Sequence, residues 1–240
     1  LKIAVISDIH SAAEHFSDSL DAARREGFDR LVILGDLFTY GPDPVRTLEL
    51  AVEACDRDRA IFITGNHDLL YFAELKGDGY ASRLPDWIRE SVEWTAAQLG
   101  ERTSAKSLPW KEEWQEAQVL FSHANPFGED DWTYLGDEQS VARASAVLKE
   151  RSLEWGIFGH VHRFRRYPSG SDSGSFATVG SIGQPRDAVE PFSQWAVVNS
   201  GPEFSIEQRR LDRDWTTTIE SIRKTSMSDA TKERLCRFYQ

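Results

Sequence analysis

Three short apolar runs near the start of the chain limit its fold more than any other feature: "KIAVISD" at 2–8, "RLVILGDL" at 30–37 and "AIFITGN" at 60–66. Each is rich in Ile and Val and ends in Gly, Asp or Asn, the pattern of strands buried on both faces. Between them, "SAAEHFSDSLDAARREGF" at 11–28 sets Leu20, Ala23 and Phe28 at helical spacing, and "DPVRTLELAVEAC" at 43–55 does the same with Val45, Leu48 and Val52. Strand and helix alternating in this way predict a βαβαβ opening with parallel strands, and so an α/β protein.

The stretch from about 72 to 114 is polar and reads as a helical insertion or flank. Within it "LPDWIRESVEWTAAQLG" aligns Ile88, Val92, Thr95 and Leu99 on one face. Further strands follow in "AQVLFSH", "EWGIFGH", "SFATVGS", "QWAVVNS" and "EFSIEQRRL", with "PSGSDSG" and "NSGPE" as turn signals. Asp214 to Lys224 reads as a last helix, and "ERLCRF" at 233–238 as a solvated helix or tail. No repeat or linker divides the chain, so residues 1–240 are expected to form one domain.

A net charge of −11 with no run of Lys and Arg argues against long nucleic acid and anionic membrane as partners. No segment reaches the roughly 18 apolar residues of a membrane span. The opening "LKIAVISD" is too short for the apolar part of a signal peptide, although the chain begins without Met and a removed presequence is left open. Cys55 and Cys236 match no metal or disulfide spacing, which fits a reducing, cytoplasmic setting.

The chemistry-bearing residues collect where the strands end. They are Asp8 and His10 in "SDIH", Asp36 in "GDL", Asn66, His67 and Asp68 in "GNHD", His123 in "FSHANP", and His160 and His162 in "GHVH". In open α/β sheets, ligands bind outside the carboxyl ends of strands, so these loops converge on one crevice. Residues two apart in an extended segment project to one side, so Asp8 with His10, and His160 with His162, can each face one point. Imidazoles, carboxylates and an amide oxygen without thiolate suit Mn, Fe, Ni, Zn or Co, and not calcium. There are enough such groups for two ions sharing a carboxylate, the arrangement that clamps an in-line phosphoryl displacement. Taken singly, Asp8 and Asp36 could cap the following helices, Asn66 and Asp68 could shape turns, and the histidine pair could be satisfied by its surroundings. His15 matches no motif and is expected to face solvent from the first helix.

"SDIH", "GDL", "GNHD", the isolated "SH" and "GHVH", in this order, resemble the complete signature of the calcineurin-like metallophosphoesterases. The resemblance spans about residues 3 to 188. "YGPDP" and "GSIGQPRD" are similar to a small bacterial and archaeal phosphodiesterase-like subgroup, sometimes described as diadenosine tetraphosphatase-like. "LPW" at 108–110 resembles the Leu-Pro that precedes the family's hairpin to its metal-binding histidine. The resemblance implies two facing mixed β-sheets flanked by helices. It implies that Asp8, His10 and His162 hold one divalent ion, that Asn66, His123 and His160 hold a second, and that Asp36 bridges them, with Mn the favoured metal. A hydroxide between the ions would attack phosphorus, His67 would protonate the leaving oxygen, Asp68 would orient His67, and Arg186 would touch a substrate oxygen. The family commonly self-associates. Ala124 stands where the subgroup has Gly, and Thr178–Val179 where it has Asn-Pro. Neither change removes a ligand, though both bear on pocket shape.

The favoured activity is therefore hydrolysis of small nucleotide or other small phosphodiesters. The alternatives are a phosphomonoesterase or protein phosphatase, a dinucleoside polyphosphate hydrolase, and a non-catalytic scaffold such as the retromer subunit the fold resembles. A scaffold has no need of His67 beside a full ligand set. Trp87, Trp94, Trp110, Trp114 and Trp132 read first as packing residues, with an aromatic platform for a base as the other reading.

Overall fold

The computed structural model describes residues 1–71, 84–100, 107–170, 173–186, 192–201 and 203–240. The opening unit is β1 (Lys2–Ile6), α1 (Ala13–Glu26), β2 (Arg30–Ile33), α2 (Pro44–Asp58) and β3 (Ile61–Ile63). Then come α3 (Asp86–Leu99), β4 (Trp110–Lys111), β5 (Glu113–Glu116), β6 (Val119–Ser122) and α4 (Glu138–Glu150). The last part contains β7 (Trp155–Phe158), β8 (Arg165–Tyr167), β9 (Ser175–Thr178), β10 (Ser193–Asn199) and β11 (Ser205–Leu211). Two helices, α5 (Thr216–Lys224) and α6 (Asp229–Cys236), and a 3-10 turn at Arg237–Tyr239 end the chain.

The strands form two mixed sheets, in the orders β11-β10-β1-β2-β3-β4 and β5-β6-β7-β9-β8. In the first, β1 to β4 run parallel and β10 pairs antiparallel with β1. In the second, β6, β7 and β9 are parallel. Alternation along each strand decides what its faces cover. Ile3, Val5, Val32 and Ile63 meet Phe121, Ile157 and Ala177 between the sheets. Ala4, Ile6, Leu31 and Ile33 face α1 and α2 on the outside. Leu120, Phe158 and Phe176 meet Ala144 and Leu148 of α4 on the other outside face. The result is a helix–sheet–sheet–helix sandwich, in which burying a side chain such as Phe121 contributes roughly 2–3 kcal/mol.

Helix starts are set by local chemistry. The Asp43 side chain accepts from Arg46 N with Pro44 in the first turn of α2, and Asp137 accepts from Ser140 N at α4. Asp8 and Asp36 cap neither helix, since the N-cap of α1 is Ala12, with no side-chain cap, and that of α2 is Asp43.

Three expectations change here. Of the supposed helical stretch from 72 to 114, residues 72–83 and 101–106 lie outside the described residues, α3 is helical, and 110–114 joins the two sheets as β4 and the start of β5. His15 is buried rather than solvent-facing: its ring stacks on Trp215 at 3.6 Å and its Nδ1 lies 2.8 Å from Ser193 Oγ. The "ERLCRF" segment is no solvated tail, because Leu235, Cys236 and Tyr239 are buried with Trp215, Ile222 and Met227 in a cluster that α3 joins through Trp87, Ile88 and Trp94. Mixed charge hid this face, because the exposed Glu233, Arg234 and Arg237 alternate with the buried residues along less than two helical turns.

Candidate metal centre

The ligand-type residues stand on backbone that few side chains tolerate. Asp8, His10, Asp36, His160 and His162 all have positive φ, between 47° and 65°. Left-handed backbone at non-glycine residues costs of order 1–3 kcal/mol each and survives only where surrounding structure fixes it. Here the fixing bonds run between strand-end loops: His10 N donates to Asp36 O, Ser11 N to Leu37 O, Gly159 N to His123 O and Gly183 N to Asp8 O. Two glycines let the loops close. A Cβ at Gly65 would overlap Asp36, and one at Gly159 would overlap Ser7.

The sequence-predicted ligands converge. Ligand atoms of Asp8, His10, Asp36 and His162 lie within 4.8 Å of one another, as do those of Asp36, His123 and His160, so Asp36 belongs to both groups. All are buried. Asp36 Oδ2 sits 3.7 Å from His10 Nε2 and 3.5 Å from His123 Nε2, while its Oδ1 accepts from His67 N. Asn66 Oδ1 is 3.3 Å from His123 Nε2, at the second group.

Each of the four histidines gives one ring nitrogen to a backbone carbonyl. Nδ1 of His10, His123 and His162 donates to Phe38, Leu34 and Gln184, and Nε2 of His160 donates to Trp132. Carbonyl partners of this kind fix tautomer and ring plane in metal sites. They leave a bare nitrogen on each ring, and two of these, His10 Nε2 and His162 Nε2, face each other at 3.2 Å. A ring whose N–H is spent on a carbonyl has none to offer at Nε2, and Asp8 Oδ1, 3.2 Å from His162 Nε2, is buried with no hydrogen-bond partner. Lone pairs aimed at one another in a buried space call for a cation between them, so the donor set fits divalent metal.

The charges agree. Burial would raise the carboxyls, yet the facing imidazoles hold both Asp8 and Asp36 below the usual carboxylate range. Burial lowers His10, and at His160 burial together with His123 brings the imidazole down to about 3. Burial works the same way on His123, but Asp36 and Asp8 outweigh it and push that group up to about 10.

Asp68 does not orient the His67 ring. Its carboxylate accepts from the backbone N–H groups of Asp36, Gly65 and Leu37 and so ties the second and third motifs together. Burial and the nearby Asp36 push it up to about 7. The ring of His67 is engaged elsewhere, with Nε2 3.0 Å from the Tyr40 hydroxyl. The sequence places Tyr40 in "YGPDP" and gives no local signal of a role for its hydroxyl. Arg186 is half-buried, with Nη2 donating to Gln184 Oε1 and Nη1 3.5 Å from the Tyr134 hydroxyl, and Tyr134 lies against His160 at 4.2 Å. A cavity of about 650 Å³ adjoins His123 and is lined by Leu69, Leu108, Trp110, Asn125 and Trp132.

Two mixed sheets between helices, with a buried Asp/His cluster suited to divalent metal at the strand ends, make up the metallophosphoesterase architecture. The chain belongs to the calcineurin-like phosphoesterase family, whose model matches residues 1–164. An uncharacterised protein of Methanocaldococcus jannaschii is 28% identical over 97% of this chain and 96% of its own. A symmetrical bis(5'-nucleosyl)-tetraphosphatase of Nitrosospira multiformis is 33% identical over 105 residues, 37% of this chain and 38% of its own. The crystal structure of a metallophosphoesterase from Sphaerobacter thermophilus shares the fold with TM-score 0.77 at 20% identity, covering 99% of both chains. No described helix is long and apolar enough to cross a membrane.

Proposed function

We infer that the protein is a phosphodiesterase acting on small organic phosphodiesters, with two divalent cations, Mn foremost. The observation that carries this reading is the cavity beside His123. Its volume and its Trp110 and Trp132 walls suit an organic group on phosphorus, and Tyr134 with Arg186 borders the cluster on the His160 side, where a second substituent of a diester would meet an aromatic ring and a guanidinium.

Asp8, His10 and His162 would hold one cation and Asn66, His123 and His160 the other, with Asp36 shared. Bound there, the cations supply Lewis-acid polarisation of the phosphoryl group and an acidified water. The protein's own part is to orient the ligands through the carbonyls of Leu34, Phe38, Trp132 and Gln184. His67 would give the leaving oxygen its proton, and the planar fork of Arg186 would contact a phosphoryl oxygen.

Further phosphates in the substrate fit less well. On the cavity wall Glu113 pairs with Arg151 and Asp131 with Arg143, so these arginines are already engaged by carboxylates that a polyphosphate chain would have to displace. The partial match to a dinucleoside tetraphosphatase covers too little of either chain to outweigh this.

The test is hydrolysis of bis-p-nitrophenyl phosphate beside p-nitrophenyl phosphate after chelation and reloading with Mn, Ni or Mg, with His67→Ala as control. Metal-dependent preference for the diester supports the reading, and preference for the monoester replaces it with a phosphatase.

A further inference from the structure

We propose that Tyr40 is a positioning residue for His67: its hydroxyl engages Nε2 and so leaves Nδ1 as the ring nitrogen available to substrate. This rests on the reading that His67 serves the leaving oxygen.

The first ground is the backbone. Thr39 and Tyr40 have φ of 76° and 69°, two successive non-glycine residues in the left-handed region. A bulky residue adopts this conformation at a cost, and only where something holds it. At Tyr40 the backbone N donates to Ser91 Oγ of α3 at 2.9 Å, and the side chain is enclosed, with the residue 4% exposed. Its ring stands 4.8 Å from His10, 4.8 Å from His67, 5.7 Å from Trp87 and 6.2 Å from Phe238. Phenylalanine would fill the same space, so packing does not account for the hydroxyl. A buried tyrosine hydroxyl needs a partner, and here the partner is an imidazole of the metal centre.

The second ground is the state of His67. The residue that sequence position suggests as its orienter, Asp68, has its carboxylate committed to three backbone amides. The backbone N of His67 donates to Asp36 Oδ1, which fixes the main chain and leaves the ring to rotate. Tyr40 supplies the missing restraint, and Nδ1 is buried with no hydrogen-bond partner. An unsatisfied buried nitrogen at a functional cluster marks the place where another group docks. In the reaction, the P–O bond to the leaving group breaks as a water oxygen bonds to phosphorus. The leaving oxygen takes the proton carried on Nδ1, the proton shed by the attacking water passes to solvent, and solvent restores the one on Nδ1, while Nε2 stays on Tyr40.

Phe238, which touches both Tyr40 and Trp87, comes from the last turn of the chain, and its neighbour Tyr239 donates to Gly183 O in the loop below Asp8. The C-terminal turn therefore packs on Tyr40 from outside the segment matched by the family model.

The experiment compares the parent with Tyr40→Phe on ethyl aryl phosphates whose phenols range from good to poor leaving groups, with metal content and thermal midpoint measured on each sample. The expected result is little change for p-nitrophenol and a loss of about 10-fold in kcat for unsubstituted phenol, because proton delivery matters only for the poor leaving group. Metal content should not change. An identical leaving-group slope in a folded, metal-loaded Tyr40→Phe overturns the proposal, as does an equal loss across the series. Nitrogen NMR of the histidine rings in metal-free protein gives a readout apart from turnover. A His67 Nε2 resonance hydrogen-bonded in the parent and shifted in Tyr40→Phe is expected. Should the variant not fold, a parent Nε2 signal without a hydrogen bond overturns the proposal. A parent that cleaves no ester removes the phosphodiesterase reading and leaves the NMR result to decide the Tyr40 contact.

Discussion

His10 Nε2 and His162 Nε2 stand 3.2 Å apart at the ends of loops that follow β1 and β7, one from each sheet, with each Nδ1 already committed to a backbone carbonyl. The two sheets thus meet at paired lone pairs, and a cation between them would join the layers as well as serve chemistry. Adding Mn to chelated protein should raise the thermal midpoint, by about 2.7 kcal/mol of stability at a hundredfold excess over Kd. Scanning calorimetry with and without metal reads this directly, and no shift would mean that the cluster binds no such ion.

Asp36 is the ligand-type residue common to both groups. Asp36→Asn keeps shape and hydrogen-bonding capacity but removes the shared charge. Metal content should fall from two ions to one or none, with turnover lost by roughly 100-fold or more. Elemental analysis of dialysed protein is the check, and two ions retained would assign the bridging role elsewhere.

Gly65 lies against Asp36 so closely that a Cβ would overlap its backbone and carboxylate. Gly65→Ala should therefore displace Asp36 before it disturbs the core, costing about 1–3 kcal/mol and lowering metal affinity together. Denaturant unfolding beside metal titration separates the two effects.

His15 gives a pH dependence that does not involve the metals. Burial, with Arg213 nearby, lowers it to about 3, against an unfolded value of 6.5. The native state keeps this ring neutral while the unfolded chain takes up a proton below pH 6.5, so the unfolded state binds more protons between pH 3 and 6.5. Stability from this group is complete above 6.5 and falls as pH drops through that window, by about 2 kcal/mol at pH 5. His15→Gln should be less stable than the parent at pH 7 and show a flatter loss on going to pH 5, measured as the difference in Tm between the two pH values.

Trp132 borders both the cavity and His123, with ring centroids 5.9 Å apart. Trp132→Ala should raise KM for aryl diesters by about 3- to 10-fold while kcat changes little, the mark of lost uniform binding. A kcat effect at unchanged KM would place the ring in the chemistry instead.

The sequence by itself marked β1 to β3, β6, β7 and β9 to β11, the parallel opening and the ligand-type residues, because buried strands carry β-branched runs and metal chemistry tolerates few residue types at their ends, whereas the short, polar β4, β5 and β8 carry no such run. Asp8, His10, Asp36, Asn66, His123, His160 and His162 were legible from local motifs alone, each within a few residues of a strand. Tertiary structure decided what those motifs could not encode. His15 is polar and stands in a helix whose polar residues mostly face water, so local pattern assigned it to solvent, whereas Ser193 and Trp215, far along the chain, bury it. Asp68 sits beside His67 in sequence yet serves the backbone of the second motif, and Tyr40, from another loop, meets the ring instead. Adjacency in sequence constrains a side chain only through the backbone between two residues. Which group fills a hydrogen bond in a closed site depends on loops that meet once the sheets have packed, and that meeting has no local signature.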